Sequence, residues 1–162
     1  MIVGMVAPDE LRALMGRVPA PVAVVTVAAD GQRLGLTVAS LVSLSLEPPL
    51  VGFAIRPDAA LHELLRQARE LAISVLGGGQ EHLAQHFARG VPPIALWEGI
   101  PLRSEAGDPP QLDGAAAWLR CRLTDEYATG DHTFFVAEVE WAEPGPPQVR
   151  PLVFHGQTYI DL

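Results

Sequence analysis

Apolar runs separated by short polar breaks dominate this chain, and most of the runs have the length of strands. PVAVVTVAA (Pro21 to Ala29) is β-branched and almost wholly apolar, the pattern of a strand buried on both faces. Asp30-Gly31 then predicts a hairpin turn that sends the chain back into a hydroxyl-rich strand. LVGFAI (Leu50 to Ile55) reads as the third strand. Pro57 breaks it, Asp58 is placed to cap a helix, and Leu61, Leu64, Leu65 and Ala68 recur at i, i+3, i+4, i+7. LAISVL is a fourth strand, stopped by Gly77-Gly78-Gly79. Gln80 to Arg89 predicts a second amphipathic helix, with Leu83, Ala84 and Phe87 inward and Glu81, His82, Gln85, His86 and Arg89 outward. Ahead of all these, Asp9 as N-cap and the spacing of Leu11, Leu14 and Met15 predict a short helix that Gly16 ends. Residues 90–113 are rich in proline and glycine without periodicity, which predicts a long surface loop. AAWLRCRLTDEY and HTFFVAEVEWA predict a strand pair joined through Ala128 to Asp131; EPGPPQVR reads as a turn, and PLVF and TYI as the last strands. Many strands with few, short helices argue for a β-barrel carrying peripheral helices. There is no internal repeat.

Composition narrows the class. With 162 residues the chain is long enough for one domain, 1–162, with a real hydrophobic core. A formal net charge of -8 argues against nucleic acid or an anionic membrane as partner, since both are bound through dense Lys/Arg. Cys121 is the single cysteine, so no intramolecular disulfide forms. The start MIVGMVAPDE lacks a basic n-region followed by a long apolar run, which makes the cytoplasm the expected compartment. Mean hydropathy is +0.22, yet no apolar run approaches the roughly 18 to 20 residues of a spanning helix, so the excess reads as core plus a buried subunit contact.

Thr37, Ser40, Ser43 and Ser45 place four hydroxyls within nine residues, ahead of the Pro48-Pro49 pair. Hydroxyls beside small residues let side chains and backbone N–H groups converge on a polar ligand; the plainer reading is a Ser/Thr-rich edge strand running into a turn. Other candidates are weaker. His82 and His86 stand at i, i+4 without a third metal ligand nearby. His62-Glu63 opens a metalloprotease-like pattern that fails at Arg66. Cys121, mid-strand between arginines, fits a structural residue rather than a nucleophile, and Gly77 to Gly79 does not meet the dinucleotide-binding fingerprint. No metal site is expected.

Taken in order, PVAVVTVAADG, GLTVAS, SLSLEPPLVGFAI, ELAISVL, QEHLAQHFA, LRCRL, GDHTFFVAEVE and PLVFHGQTY resemble the flavin reductase-like family, the small reductase components of two-component flavin-dependent monooxygenases. The resemblance runs from Leu11 to Tyr159. It implies a mainly β, FMN-binding split β-barrel, a homodimer with flavin at the subunit contact, and hydride transfer from NADH or NADPH to FMN, or to FAD. It also implies a monooxygenase as receiver of reduced flavin. Thr37, Val38, Ala39, Ser40, Ser43 and Ser45 would hold the flavin through backbone N–H groups and hydroxyls, and Arg56 its phosphate. Asp131 and His132, within Gly130-Asp131-His132, would lie by the flavin, His132 orienting the nicotinamide. The sequence departs from the family at Ala39, where many relatives have asparagine, and at Ala59 and Ala60, where they often have serine or lysine. Two rivals follow: a flavoprotein that binds FMN tightly without a fast nicotinamide reaction, acting as carrier or redox sensor, and a barrel that uses haem or pyridoxal phosphate. The chain has no lysine, which rules out a protein Schiff base with the latter.

Overall fold

The apolar runs do become strands. The structure is a computed structural model that describes residues 5–90 and 92–162. Its helices are α1 (Pro8–Met15), α2 (Ala60–Ala68) and α3 (Glu81–Ala88). Its strands are β1 (Ala20–Pro21), β2 (Ala23–Ala29), β3 (Gln32–Val38), β4 (Val42–Leu46), β5 (Pro49–Ile55), β6 (Glu70–Val75), β7 (Ala117–Thr129), β8 (His132–Pro144), β9 (Leu152–His155) and β10 (Thr158–Asp161). Seven of them form one antiparallel sheet in the order β3-β2-β6-β7-β8-β5-β4, and β1-β9-β10 form a second, smaller one.

The larger sheet curls until β3, at one end, meets β5. This makes a mainly β, incompletely closed barrel, as expected. β2, the predicted doubly buried strand, runs along its interior with Val24, Val25 and Val27 fully buried beside Phe53, Ile55, Leu71, Ile73 and Phe135. Each such side chain contributes about 1.5–3 kcal/mol by leaving water. α2 packs on β2 and β3 through Leu61 and Leu65, and α3 on β3 through Leu83, Ala84 and Phe87. The long loop is tied down over the same face. Trp97 Nε1 donates to the Arg33 carbonyl at 2.8 Å, Thr26 Oγ1 donates to the Pro110 carbonyl at 2.5 Å, and Trp118 Nε1 donates to the Leu112 carbonyl at 2.7 Å. The fully buried Leu112 thereby joins the core.

Two hairpins fall where the sequence put them. Asp30 and Gly31 both have positive φ (50° and 74°), the primed turn that matches strand twist. Gly130, at φ 66°, opens the two-residue turn between β7 and β8, a conformation that favours glycine.

Four expectations are corrected. The hydroxyl-rich segment is two strands, because residues 39–41, which separate β3 from β4, belong to no ladder. Asp9 is not the N-cap of α1. Ala7 is, with its N–H received by the Glu10 carboxylate at 3.4 Å, while Asp9 pairs with Arg12. Asp58 does not cap α2 either: Ala59 stands at the cap with no side-chain bond, and the Asp58 carboxylate is held by Arg56. His86 is half-buried rather than outward, its Nε2 lying 2.7 Å from the Leu96 carbonyl.

Gly145, just after β8, crosses the main chain at Ala115-Ala116 and donates its N–H to the Ala116 carbonyl at 2.8 Å. A β-carbon there would overlap the Ala115 carbonyl oxygen and lie 2.9 Å from the Ala116 carbonyl carbon. Those atoms are backbone and cannot swing aside. Gly145→Ala is expected to destabilise the fold by about 3 kcal/mol, read as a lowered urea midpoint at unchanged slope; an unshifted midpoint would show that the 115–116 segment yields.

Candidate active site

Where β3 meets β5, a cavity of about 490 Å³ opens at the surface. This lies within the range of small-molecule sites. Leu36, Val38, Ala54, Ile55 and Ala59 give it apolar walls, and Thr37, Ser40, Arg56, Asp58 and His132 lie around it. Three parts of the chain, far apart in sequence, thus converge: the end of β3 with residues 39–40, the end of β5 with the turn after it, and the first residue of β8.

The sheet explains the opening. Val42 pairs with Gly52, so continuing that register would put Ser40 opposite Ala54. There the Ser40 hydroxyl replaces the ladder, accepting the Ala54 N–H at 2.8 Å. The main chain at 39–41 is released, and among the described residues the amides of Ala39 and Ser40 make no hydrogen bond. Thr37 Oγ1 donates to the Ala84 carbonyl at 2.7 Å and so fixes β3 against α3. Thr37 and Ser40 therefore shape the cavity as structural bonds, leaving the backbone amides beside them as the free donors.

The rim is charged. Beyond β5, Pro57 turns the chain, Ala59 N–H bonds back to the Arg56 carbonyl at 3.1 Å, and the turn sets Arg56 and Asp58 side by side. Arg56 Nε and Nη2 donate to the two Asp58 oxygens at 3.0 and 3.2 Å. This bidentate bond holds the Asp58 carboxyl below the usual carboxylate range, and the guanidinium is raised in turn. On the facing rim His132 Nδ1 lies 2.7 Å from Asp131 Oδ1, a hydrogen bond that likewise depresses the Asp131 carboxyl. Arg56, Asp58 and Asp131 are largely exposed, and His132 is half-buried.

Of the residues singled out from sequence, Thr37, Val38, Ala39, Ser40, Arg56 and His132 line the cavity, and Asp131 joins through His132. Ser43 and Ser45 lie further along β4, paired with Val51 and Leu50, and do not line it. Asp58 was not expected here, nor was the buried His62. His62 Nε2 lies 2.8 Å from Thr133 Oγ1, and its ring packs edge-on to Phe135 at 5.2 Å. It anchors β8 one residue beyond His132. Cys121 is buried, which pushes its thiol up to about 12, outside nucleophile range. Among the described residues no group of three or more His, Cys, Asp or Glu could hold a metal ion.

An open β-barrel with a half-apolar cavity at its mouth defines a small-cofactor domain, and the chain's relatives specify which kind. Residues 15–162 match the flavin reductase like domain, so the chain belongs to that family. The NADH:FMN oxidoreductase of Rhodococcus qingshengii is 34% identical over 157 residues, which cover 95% of this chain and 81% of that protein. The reductase component of 4-hydroxyphenylacetate 3-monooxygenase from Thermus thermophilus is 38% identical over 145 residues, covering 87% and 90%. The NADH:FAD oxidoreductase of Streptomyces globisporus, solved in complex with NAD and FAD fragments, superposes with a TM-score of 0.88 at 34% identity, over 99% of this chain and 97% of that one.

Proposed function

We propose that this chain is a flavin reductase of the split-barrel type, taking a hydride from NADH and delivering it to flavin bound between β3, β5 and β8. The observation that carries the reading is the convergence of the freed 39–40 backbone, the Arg56 turn and His132 on one cavity. The residues fit a flavin ring. Apolar walls suit its faces, and the unpaired amides suit its polar edge.

Bound there, flavin supplies the hydride acceptor and the two-electron chemistry. The amides of Ala39 and Ser40 then donate toward charge that develops on reduction. Leu36, Val38 and Ile55 keep water from the ring. His132, with Nδ1–H given to Asp131, presents Nε2 outward as an acceptor for the nicotinamide carboxamide. Its task is placement, not proton transfer.

A second copy of the chain completes the site. α1 buries none of its residues; Leu11, Leu14 and Met15 are each more than half exposed, and Leu46 on edge strand β4 is 88% exposed. A dimer covers such apolar surface and shields the edge. No helix among the described residues is long and apolar enough to cross a membrane; we place the enzyme in the cytoplasm, where a two-component monooxygenase would consume the reduced flavin. The rival reading as a tight FMN carrier gains no support, since the Thr37, Ser40 and Arg56 polar groups already bond within the protein.

The anaerobic absorption spectrum tests the proposal. Protein loaded with FMN, FAD or riboflavin is expected to bleach on adding NADH. Flavin that binds but stays oxidised would defeat the reductase reading, and absence of uptake of any of the three would show that the cavity is not a flavin site.

A further inference from the structure

Arg56 is the one guanidinium among the residues that line the cavity. A flavin ring held by the apolar walls with a phosphate on its tail would find no other permanent cation there. Yet both of the donor nitrogens that Arg56 turns toward its neighbour are already filled by Asp58, in fork-on-fork geometry at 3.0 and 3.2 Å. The carboxylate also sits one residue before Ala59, the cap of α2, where no side chain satisfies the first turn and an anion is favoured. Asp131 lies close enough to act electrostatically on Arg56 from the facing rim. The rim thus sets two carboxylates against one guanidinium. Ala39, Ala59 and Ala60 add no hydroxyl or amide side chain that could hold a phosphate.

We infer that Asp58 is a specificity-determining residue, a resident anion that fills the Nε/Nη2 fork of Arg56, offsets its charge and makes the site select flavins by their ring rather than by their phosphate. The inference rests on the flavin-reductase reading and goes beyond it. A phosphate monoester brings a charge of about -1.5 to -2 at pH 7. To take the Nε/Nη2 fork of Arg56 it must displace a carboxylate that is covalently tethered two residues away, at high effective concentration, and at Nη1 it meets a guanidinium whose charge that carboxylate already offsets. What it gains from the guanidinium it loses with Asp58 and Asp131, so FMN and riboflavin bind alike. Replacing the carboxylate by its isosteric amide removes the competitor and leaves the guanidinium in place.

Fluorescence-quenching titration of the purified protein with riboflavin and with FMN, at low ionic strength where exposed charges are least screened, tests this without turnover. The wild type is expected to bind the two within about threefold of each other, a small difference on the affinity scale. Asp58→Asn is expected to tighten FMN about tenfold, as a charge-assisted contact at an exposed site allows, and to leave riboflavin unchanged. Arg56→Ala added to Asp58→Asn should cancel the gain. Arg56 and Asp58 are exposed at 60% and 70%, so neither change should disturb folding. A wild type that already prefers FMN tenfold or more would overturn the inference. So would an Asp58→Asn variant that shifts both flavins equally, or one whose gain survives loss of Arg56. A wild type that binds neither flavin would instead overturn the flavin site itself, and the inference with it.

Discussion

Replacement of His132 by alanine is expected to slow reduction of bound flavin by NADH about a hundredfold while leaving flavin affinity within about twofold. A misplacement of the reacting partners by roughly 1 Å is worth that much in rate. The imidazole stands on the rim, its Nδ1 fixed by Asp131 at 2.7 Å and its strand fixed by the His62–Thr133 bond at 2.8 Å, so it is a rigid and oriented acceptor rather than a waving surface group. Stopped-flow bleaching at increasing NADH separates its two contributions. A raised KM alone would mean that His132 only helps to hold the nicotinamide, whereas a lowered limiting rate shows that it places the hydride-donating carbon. Asp131→Asn should reproduce part of the loss, because an amide can accept from Nδ1–H but no longer favours that tautomer by charge. If His132→Ala, folded and flavin-loaded, is reduced at the wild-type rate with the same NADH dependence, the residue merely begins a strand.

The strands were legible because each apolar run is bounded by residues that cannot continue it. Asp30, Gly31 and Gly130 adopt the positive φ that their hairpins need, and Pro57 follows the end of β5. The site was legible only through the ordered resemblance, since nothing in periodicity says that Thr37, Arg56 and His132 share one cavity. Roles within it were harder to read. A hydroxyl near a ligand and a hydroxyl that braces a strand look the same in sequence. Ser40 proves to bond Ala54, fourteen residues on, and Thr37 to bond Ala84, forty-seven residues on. Asp58 shows a local competition: an aspartate after proline and before a helix can cap the helix or take an arginine two residues back, and the bidentate guanidinium wins. His62 falls between Leu61 and Leu64 in a pattern read as one apolar stripe; α2 sinks deeper than such a stripe requires, and takes the imidazole inside. In α1 the spacing of Leu11, Leu14 and Met15 marks an apolar side, but spacing cannot say whether that side is buried, and all three residues stay more than half exposed.

Phe135→Ala is expected to cost about 3–5 kcal/mol of stability, the range for removing a buried phenyl ring from a packed core. Phe135 is fully buried on β8, its ring centroid 5.9 Å from that of the equally buried Phe53 on β5 and 5.2 Å from His62 on α2. It therefore sits where β5 and β8, two of the strands that build the cavity, meet α2. Truncation leaves a void bounded by strands that are hydrogen-bonded on both sides, β5 to β4 and β8, and β8 to β7, so the walls cannot collapse to fill it. Urea denaturation followed by tryptophan fluorescence reads the loss as a shift in midpoint at unchanged slope. The effect should also reach the chemistry. His62 loses the ring it packs against, its bond to Thr133 Oγ1 loosens, and His132 next to Thr133 loses its fixed position. The variant, assayed well below its own midpoint, should therefore reduce bound flavin more slowly than wild type, and Phe135→Leu, which refills most of the volume, should recover much of both properties. A stability loss below about 1 kcal/mol would show that the core relaxes around the gap. A large stability loss with an unchanged limiting rate would show that the start of β8 holds His132 in place without help from the core beneath it.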